Sequence, residues 1–218
     1  MPNKAVIAGA SGLIGSYLLH ILLDAEQYSE VLILVRKELS VQHKKLVQLV
    51  IDFDKLDEHK AAITGYALFC CLGTTKKKTP DQNEYRKIDH YYPLRLAQIA
   101  KQNGVKQYHL VSSLGAASNS SQFYLKTKGE TEEAIKKVGI KSLNIYQPSL
   151  LTGDRKESRF GEGFMIGLMK LIDPMLVGGL RKYRSISAET VAQAMFKQSL
   201  KTEEGIFVHP SDKIKLLA

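Results

Sequence analysis

No apolar run in this 218-residue chain approaches the ~20 residues that a membrane-spanning helix needs. Cysteine is almost absent: the pair Cys70 and Cys71 are sequence neighbours inside an apolar run. Neighbours cannot staple a fold, so they read as reduced core thiols, which suits a cytoplasmic protein. The start, Met1-Pro2-Asn3-Lys4, leads straight into a strand-like run and lacks the pattern of a secretory leader. The histidines His20, His43, His59, His90, His109 and His209 nowhere fall at ligand spacing with cysteine or acidic partners, so no metal site is expected. Internal repeats and low-complexity stretches are also missing. Lys and Arg outnumber Asp and Glu by 31 to 22, giving a net charge of +9. Apart from Lys76-Lys77-Lys78 the basic residues are scattered, without aromatic interleaving or a nucleic-acid motif, so no nucleic-acid partner is expected. A solvated basic surface that suits a phosphorylated ligand is the simpler reading.

What is present is an alternation of strands and helices, with 44% apolar residues to build a core. Ala5 to Ala8 is a short apolar run ending in glycines, and Leu13 to Leu23 is apolar at helical spacing. Val31 to Val35 is continuously apolar, as in a strand buried on both faces. Leu46 to Phe53 and Tyr66 to Leu72 are the third and fourth strands, and Glu84 to Asn103 is a helix stopped by Gly104. Val105 to Val111, a helix from Phe123 to Val138, and Ile140 to Gln147 follow. Beyond Gly153 come a short apolar helix from Phe164 to Ile172, a helix from Ala188 to Leu200, and Phe207-Val208 with Ile214 to Leu217 as a closing strand or terminal segment. The rhythm predicts an α/β fold: a three-layer, doubly wound parallel sheet with ligands beyond the carboxyl ends of its strands. The length suits a single nucleotide-binding domain over 1–218, with 153–185 as a small C-terminal lid.

The first strand runs into Gly9-Ala10-Ser11-Gly12-Leu13-Ile14-Gly15. Glycine at the first position permits a tight turn, at the second a close approach of backbone to pyrophosphate, and at the third close packing of helix on strand. The helix that follows offers free N–H donors and its positive dipole end to an anion. Glycine triplets alone are weak signals, but here a strand precedes and a helix follows. Directly after the second strand stand Arg36 and Lys37 rather than the carboxylate that would hold ribose hydroxyls. A guanidinium pairs with a 2′-phosphate, so the expected cofactor is NADP(H). Asp52 and Phe53 are placed to meet the adenine, and Leu72, Gly73 and Thr74 to line the ribose and pyrophosphate. Gln147, Pro148, Ser149, Leu150 and Leu151 are placed to approach the nicotinamide.

Tyr124 and Lys128 lie one turn apart on one helix face. An ammonium beside a phenol favours the phenolate and brings a tyrosine of pKa ~10 toward useful acid–base chemistry. Lys128 is also placed to bond the nicotinamide ribose. Ser112 and Ser113 end the fifth strand on opposite faces. Ser113 is preferred for holding a substrate carbonyl while Tyr124 delivers the proton, and Ser112 for a structural hydrogen bond. Tyrosine and lysine at this spacing are common on helix surfaces. The combination of glycine loop, Arg36, strand-end serines and Tyr-Lys in order carries the weight. After the sixth strand, the charge run Asp154 to Arg159 faces the expected site mouth and reads equally as a clamp, through Arg155 and Arg159, on an anionic substrate or as a solvated loop.

The stretches Gly9 to Gly15, Phe69 to Thr75, Ser112-Ser113 with Gly115-Ala116, Tyr124 to Glu130, and Gln147-Pro148 through Arg159 together resemble the Tat-interacting-protein-type oxidoreductases. These are atypical short-chain dehydrogenase/reductases with a Rossmann fold. The resemblance implies NADP(H) binding and a Ser-Tyr-Lys set carried by Ser113, Tyr124 and Lys128, without supplying a substrate. Asp89 departs from extended relatives, where asparagine is common. Two function classes follow: an NADP(H)-dependent oxidoreductase of a small carbonyl or alcohol, or an NADP(H)-sensing regulatory protein with a protein partner. A nucleotide-sugar epimerase or dehydratase ranks last, because the chain is short for the usual substrate domain.

Overall fold

The computed structural model describes residues 3–152 and 176–218. Nine strands alternate with helices among them: β1 (Asn3–Ala8), β2 (Tyr28–Val35), β3 (Leu46–Val50), β4 (Ala67–Cys70), β5 (Gln107–Val111), β6 (Ser142–Gln147), β7 (Leu151–Thr152), β8 (Ile186–Ser187) and β9 (Gly205–Pro210). Seven of these form a sheet in the order β3-β2-β1-β4-β5-β6-β9, every pairing parallel. The short β7 and β8 pair with each other outside it. Strand order reverses between β1 and β4, so the loops after these two strands diverge and leave a crevice at their carboxyl ends.

The strands are apolar on both faces because helices cover both. On one side Ala5, Ile7, Ile33 and Phe69 pack with α1 (Leu13–Asp24) and α5 (Ala188–Ser199). On the other side Val6, Ala8, Leu34, Leu68 and Ile145 pack with α3 (Tyr92–Gln102), α4 (Phe123–Val138) and a 3₁₀ segment at Phe53–Ala62. Burial of alternate residues in opposite layers is what period-two side-chain alternation requires of a central parallel strand.

Several elements differ from the sequence-based expectation, each for a local reason. The third strand ends at Val50 rather than Phe53. The Asp52 carboxylate accepts the Asp54 N–H and turns the chain into the 3₁₀ segment. At the other end of the sheet, Phe207-Val208 lies in β9, which pairs with β6. Ile214 to Leu217 lies in a short helix, α6 (Ser211–Leu217), that starts directly after Pro210. The expected helix from Phe164 to Ile172 lies outside the described residues.

The helix expected over residues 84–103 is composite. It begins as α2 (Gln82–Arg86), whose first turn is capped by the Asp81 carboxylate accepting the Asn83 and Glu84 N–H groups. It then widens into a π turn at Lys87–Tyr91 before continuing as α3. Pro93 supplies the cause. Its ring has no N–H and crowds the carbonyl four residues back, which is that of Asp89. One extra residue in the turn relieves the crowding, and the Tyr92 N–H bonds the Lys87 carbonyl five residues back. The Asp89 carbonyl is met instead from α4, where Thr131 Oγ1 donates to it at 2.9 Å.

Candidate active site

The glycine loop is built by contact as much as by conformation. Gly9 has φ +90°, and a Cβ there would lie 2.7 Å from the Cys71 carbonyl, so β1 and the loop after β4 touch through backbone. A Cβ on Gly15 would lie 2.2 Å from the Gly9 oxygen, which is how α1 closes down onto the end of β1. Gly12 and Ser11 are exposed at the tip, while Ala10 and Ile14 are buried and Leu13 half-buried. No side chain caps α1, and no acidic residue sits in its first turn. An uncapped helix N-terminus without a carboxylate, opening on a switch-point crevice, fits a pyrophosphate.

Arg36 and Lys37 follow β2 and are both exposed at the same end of the sheet. Asp52 is exposed, but its carboxylate caps the 3₁₀ segment, and Phe53 is buried with its ring 5.6 Å from that of Tyr92. After β4, Leu72 is half-buried and Gly73 exposed. Thr74 is braced on three sides. Its N–H donates to Asp89 Oδ2 at 2.8 Å, its carbonyl accepts from the Tyr85 hydroxyl at 3.3 Å, and its hydroxyl lies 2.8 Å from that of Thr79.

The π turn and α4 converge on one ion pair. Lys128 Nζ lies 2.8 Å from Asp89 Oδ1, and the side chains are only 7% and 1% exposed. Burial works against the Lys128 ammonium. The facing Asp89 carboxylate and, to a lesser degree, the Tyr124 hydroxyl outweigh it and raise the lysine above its ordinary pKa. Lys128 is therefore held charged in a place where an unpaired lysine would shed its proton. Tyr124, one turn earlier, is 41% exposed.

The two strand-end serines have different surroundings. Ser112 is buried and donates to Glu132 Oε1 at 2.5 Å. Gln147 Nε2 donates to the same carboxylate at 2.9 and 3.1 Å. Glu132 of α4 thereby ties the ends of β5 and β6 together beneath the site. Ser113 is half-buried, and among the described residues its hydroxyl makes a long 3.4 Å contact to the Leu114 carbonyl. Beyond β6 the Pro148 carbonyl accepts from Leu114 N–H, and the Leu150 carbonyl from Ile186 N–H. The Ser149 hydroxyl contacts the Arg184 carbonyl and lies 2.9 Å from that of Ser211, while Leu151 lies in β7. Arg155 and Arg159 lie outside the described residues.

Sequence reasoning passed over several residues that shape this place. Glu132 and Gly129 follow Lys128 on the same helix. A Cβ on Gly129 would lie 2.2 Å from the Ala117 carbonyl carbon, so α4 is pressed against the loop after β5. Tyr85 packs edge-on against Phe123 with ring centroids 5.4 Å apart, fixing α2 to the start of α4. The readable signal for the Asp89 arrangement was Pro93 inside an otherwise helical pattern. An open hollow between α3 and α4, lined by Leu94, Gln98, Glu130 and Lys137 among others, lies away from the strand ends. Among the described residues no three histidine, cysteine or acidic side chains are grouped to hold a metal, and no helix is long and apolar enough to cross a membrane.

A parallel sheet in this order, with an uncapped glycine turn at its switch point, defines a Rossmann-type nucleotide-binding protein. A family model described as NAD(P)H-binding matches residues 9–201, and the chain belongs to that family. Protein HTATIP2 of Rattus norvegicus is 40% identical over 167 residues, covering 74% of this chain and 69% of its own. The protein fmp52, mitochondrial, of Aspergillus clavatus is 30% identical across 100% of this chain and 95% of its own. The resemblance to the atypical short-chain dehydrogenase/reductases holds on these matches. The solved structure of MoeE5 in complex with UDP-glucose and NAD superposes with a TM-score of 0.71 at 16% identity, over 94% of this chain and 75% of that one. That likeness speaks for the fold. One expectation is corrected: relatives from Aspergillus, Candida albicans and Saccharomyces cerevisiae are all named mitochondrial, which overturns the cytoplasmic assignment. Reduced, adjacent thiols do not distinguish one reducing compartment from another.

Proposed function

We propose that this chain is an NADP(H)-dependent oxidoreductase that interconverts a small carbonyl and its alcohol, with Ser113, Tyr124 and Lys128 as the working set. The observation that carries the reading is the buried Lys128 ammonium, held by Asp89 one helical turn from the exposed Tyr124, at the carboxyl ends of β4 and β5. A nicotinamide cofactor held in the crevice would supply or accept the hydride. Tyr124 gives the carbonyl oxygen its proton, or takes it back from the alcohol, and Lys128 stabilises the phenolate that results. Ser113, whose neighbour Ser112 is engaged by Glu132, holds the same oxygen by hydrogen bond. Arg36 and Lys37, exposed after β2, support a 2′-phosphate as the feature that sets NADP(H) apart from NAD(H).

Turnover on a panel of small carbonyls with NADPH and with NADH tests this, using wild type, Tyr124→Phe and Arg36→Ala. The expected results are activity with NADPH, a loss of about 10²–10⁴-fold in Tyr124→Phe, and a cofactor preference that largely disappears in Arg36→Ala. Undiminished turnover in Tyr124→Phe removes Tyr124 from the chemistry, and a wild-type preference for NADH removes Arg36 from cofactor selection. Tight NADPH binding without turnover on any carbonyl favours the sensing role over the enzymatic one.

A further inference from the structure

The Asp89–Lys128 pair has a consequence for charge that the Ser-Tyr-Lys reading does not contain. The ammonium is met from three elements: Asp89 from the π turn, Tyr124 from its own helix, and Cys70 from the end of β4. Of these Asp89 alone brings a formal negative charge, at 2.8 Å. Its geometry is over-determined. The second carboxylate oxygen takes the Thr74 N–H, the backbone carbonyl takes the Thr131 hydroxyl, and Pro93 enforces the turn that aims the side chain inward. Gly73, on the loop expected to line the cofactor, leaves the pair close to the crevice. A Cβ there would lie 3.6 Å from Asp89 Oδ1 and 3.7 Å from Lys128 Nζ.

We infer that Asp89 is a positioning residue that neutralises Lys128 at the nicotinamide end of the site, so that the protein accepts oxidised and reduced cofactor on nearly equal terms. The inference rests on the cofactor reading above. The oxidised nicotinamide ring carries a positive charge and the reduced ring carries none. A lysine with no counter-ion would repel the first and leave the second untouched. A carboxylate bound to that lysine offsets much of that repulsion, and by the same token tempers, without abolishing, the lysine's pull on a Tyr124 phenolate. Asparagine at the same position fills the same space and can still accept the Thr74 N–H, but it leaves the lysine charge uncompensated.

The test is the ratio of dissociation constants for NADP⁺ and NADPH, measured by calorimetry and by NADPH fluorescence on the whole chain without substrate. In Asp89→Asn the ratio is expected to rise at least about tenfold, the effect of one unit charge about 12 Å away through an effective dielectric of about 20, and more at shorter range. In Asp89→Asn/Lys128→Met, where both charges are gone, it is expected to return to the wild-type value although both nucleotides bind more weakly. The double variant contains no unpaired buried charge, so it carries the test even where the single variant does not fold. A merely structural role for Asp89 would weaken both nucleotides alike. An unchanged ratio in Asp89→Asn, or a double variant whose ratio departs from wild type, overturns the inference while leaving the oxidoreductase reading intact. Failure of wild type to bind either nucleotide overturns both.

Discussion

At the scale of single residues, the site depends on side chains that are absent as much as on those that are present. Gly15 and Gly129 each sit where any Cβ would overlap backbone, at 2.2 Å from the Gly9 oxygen and from the Ala117 carbonyl carbon respectively. Such contacts cannot be relieved by a rotamer change, because the obstructing atoms are main chain. Gly129→Ala must push α4 away from the loop after β5, carrying Lys128 with it. The expected cost is about 2–3 kcal/mol, at the upper end of overpacking penalties. It should appear as a lower urea midpoint at unchanged slope. A variant as stable as wild type would mean that the loop gives way freely. Glu132 shows the opposite case, a buried carboxylate retained because Ser112 and Gln147 together satisfy it.

At the scale of elements, the composite helix formed by α2, the π turn and α3 matters most. A regular helix would turn Asp89 to a different angle. The widened turn at Lys87–Tyr91 points it toward Lys128, and Thr131 of α4 secures the turn from outside. The Thr131 hydroxyl lies 2.9 Å from the Asp89 carbonyl, 2.8 Å from that of Thr127 and 3.0 Å from His90 Nδ1, and is almost wholly buried. Thr131→Val keeps the shape and removes these bonds, leaving a buried carbonyl and an imidazole nitrogen without that partner. Loss of about 1–3 kcal/mol is expected, read as a fall of several degrees in Tm by calorimetry. An unshifted Tm would show that the π turn holds itself.

At the scale of the whole molecule, the sheet interior contains a polar seam that gives the fold a pH dependence. His109 lies between Gln107 and the Tyr146 hydroxyl and is stacked on Phe69, while His209 bonds Asn144 at 3.0 Å. Burial, with a smaller push from His209, lowers the His109 pKa to about 3. Burial and then Lys201 lower that of His209 to about 4. Both are thus neutral in the folded protein at ordinary pH. The unfolded chain protonates its histidines near pH ~6.5, so between about 6.5 and 4 it binds protons that the fold excludes, and stability falls as the pH falls. Urea midpoints at about pH 7 and about pH 5 should differ in that sense. A midpoint flat across the window would show that other groups cancel the two imidazoles.

The alternation of apolar runs and glycine stops determined the parallel layered fold, because a strand buried on both faces and a helix-capping glycine are local requirements. Phe123 to Val138 was legible to the residue for that reason. The places of the glycine loop, Arg36 and the strand-end serines were legible too, since each directly follows a strand. What only the tertiary structure decided are relations between segments distant in sequence. These include Glu132 reaching back to Ser112, Thr131 to the Asp89 carbonyl, and Asp89 to both Thr74 and Lys128. The end of β3 and the split of the C-terminal run into β9 and α6 had local causes that apolar patterning alone did not show. In both places a capping carboxylate or a proline competed with apolar patterning and won. Burial supplies the physical reason. A carboxylate, an ammonium and a carbonyl removed from water must find one another, and which of them meet depends on how the helices pack, not on their spacing along the chain.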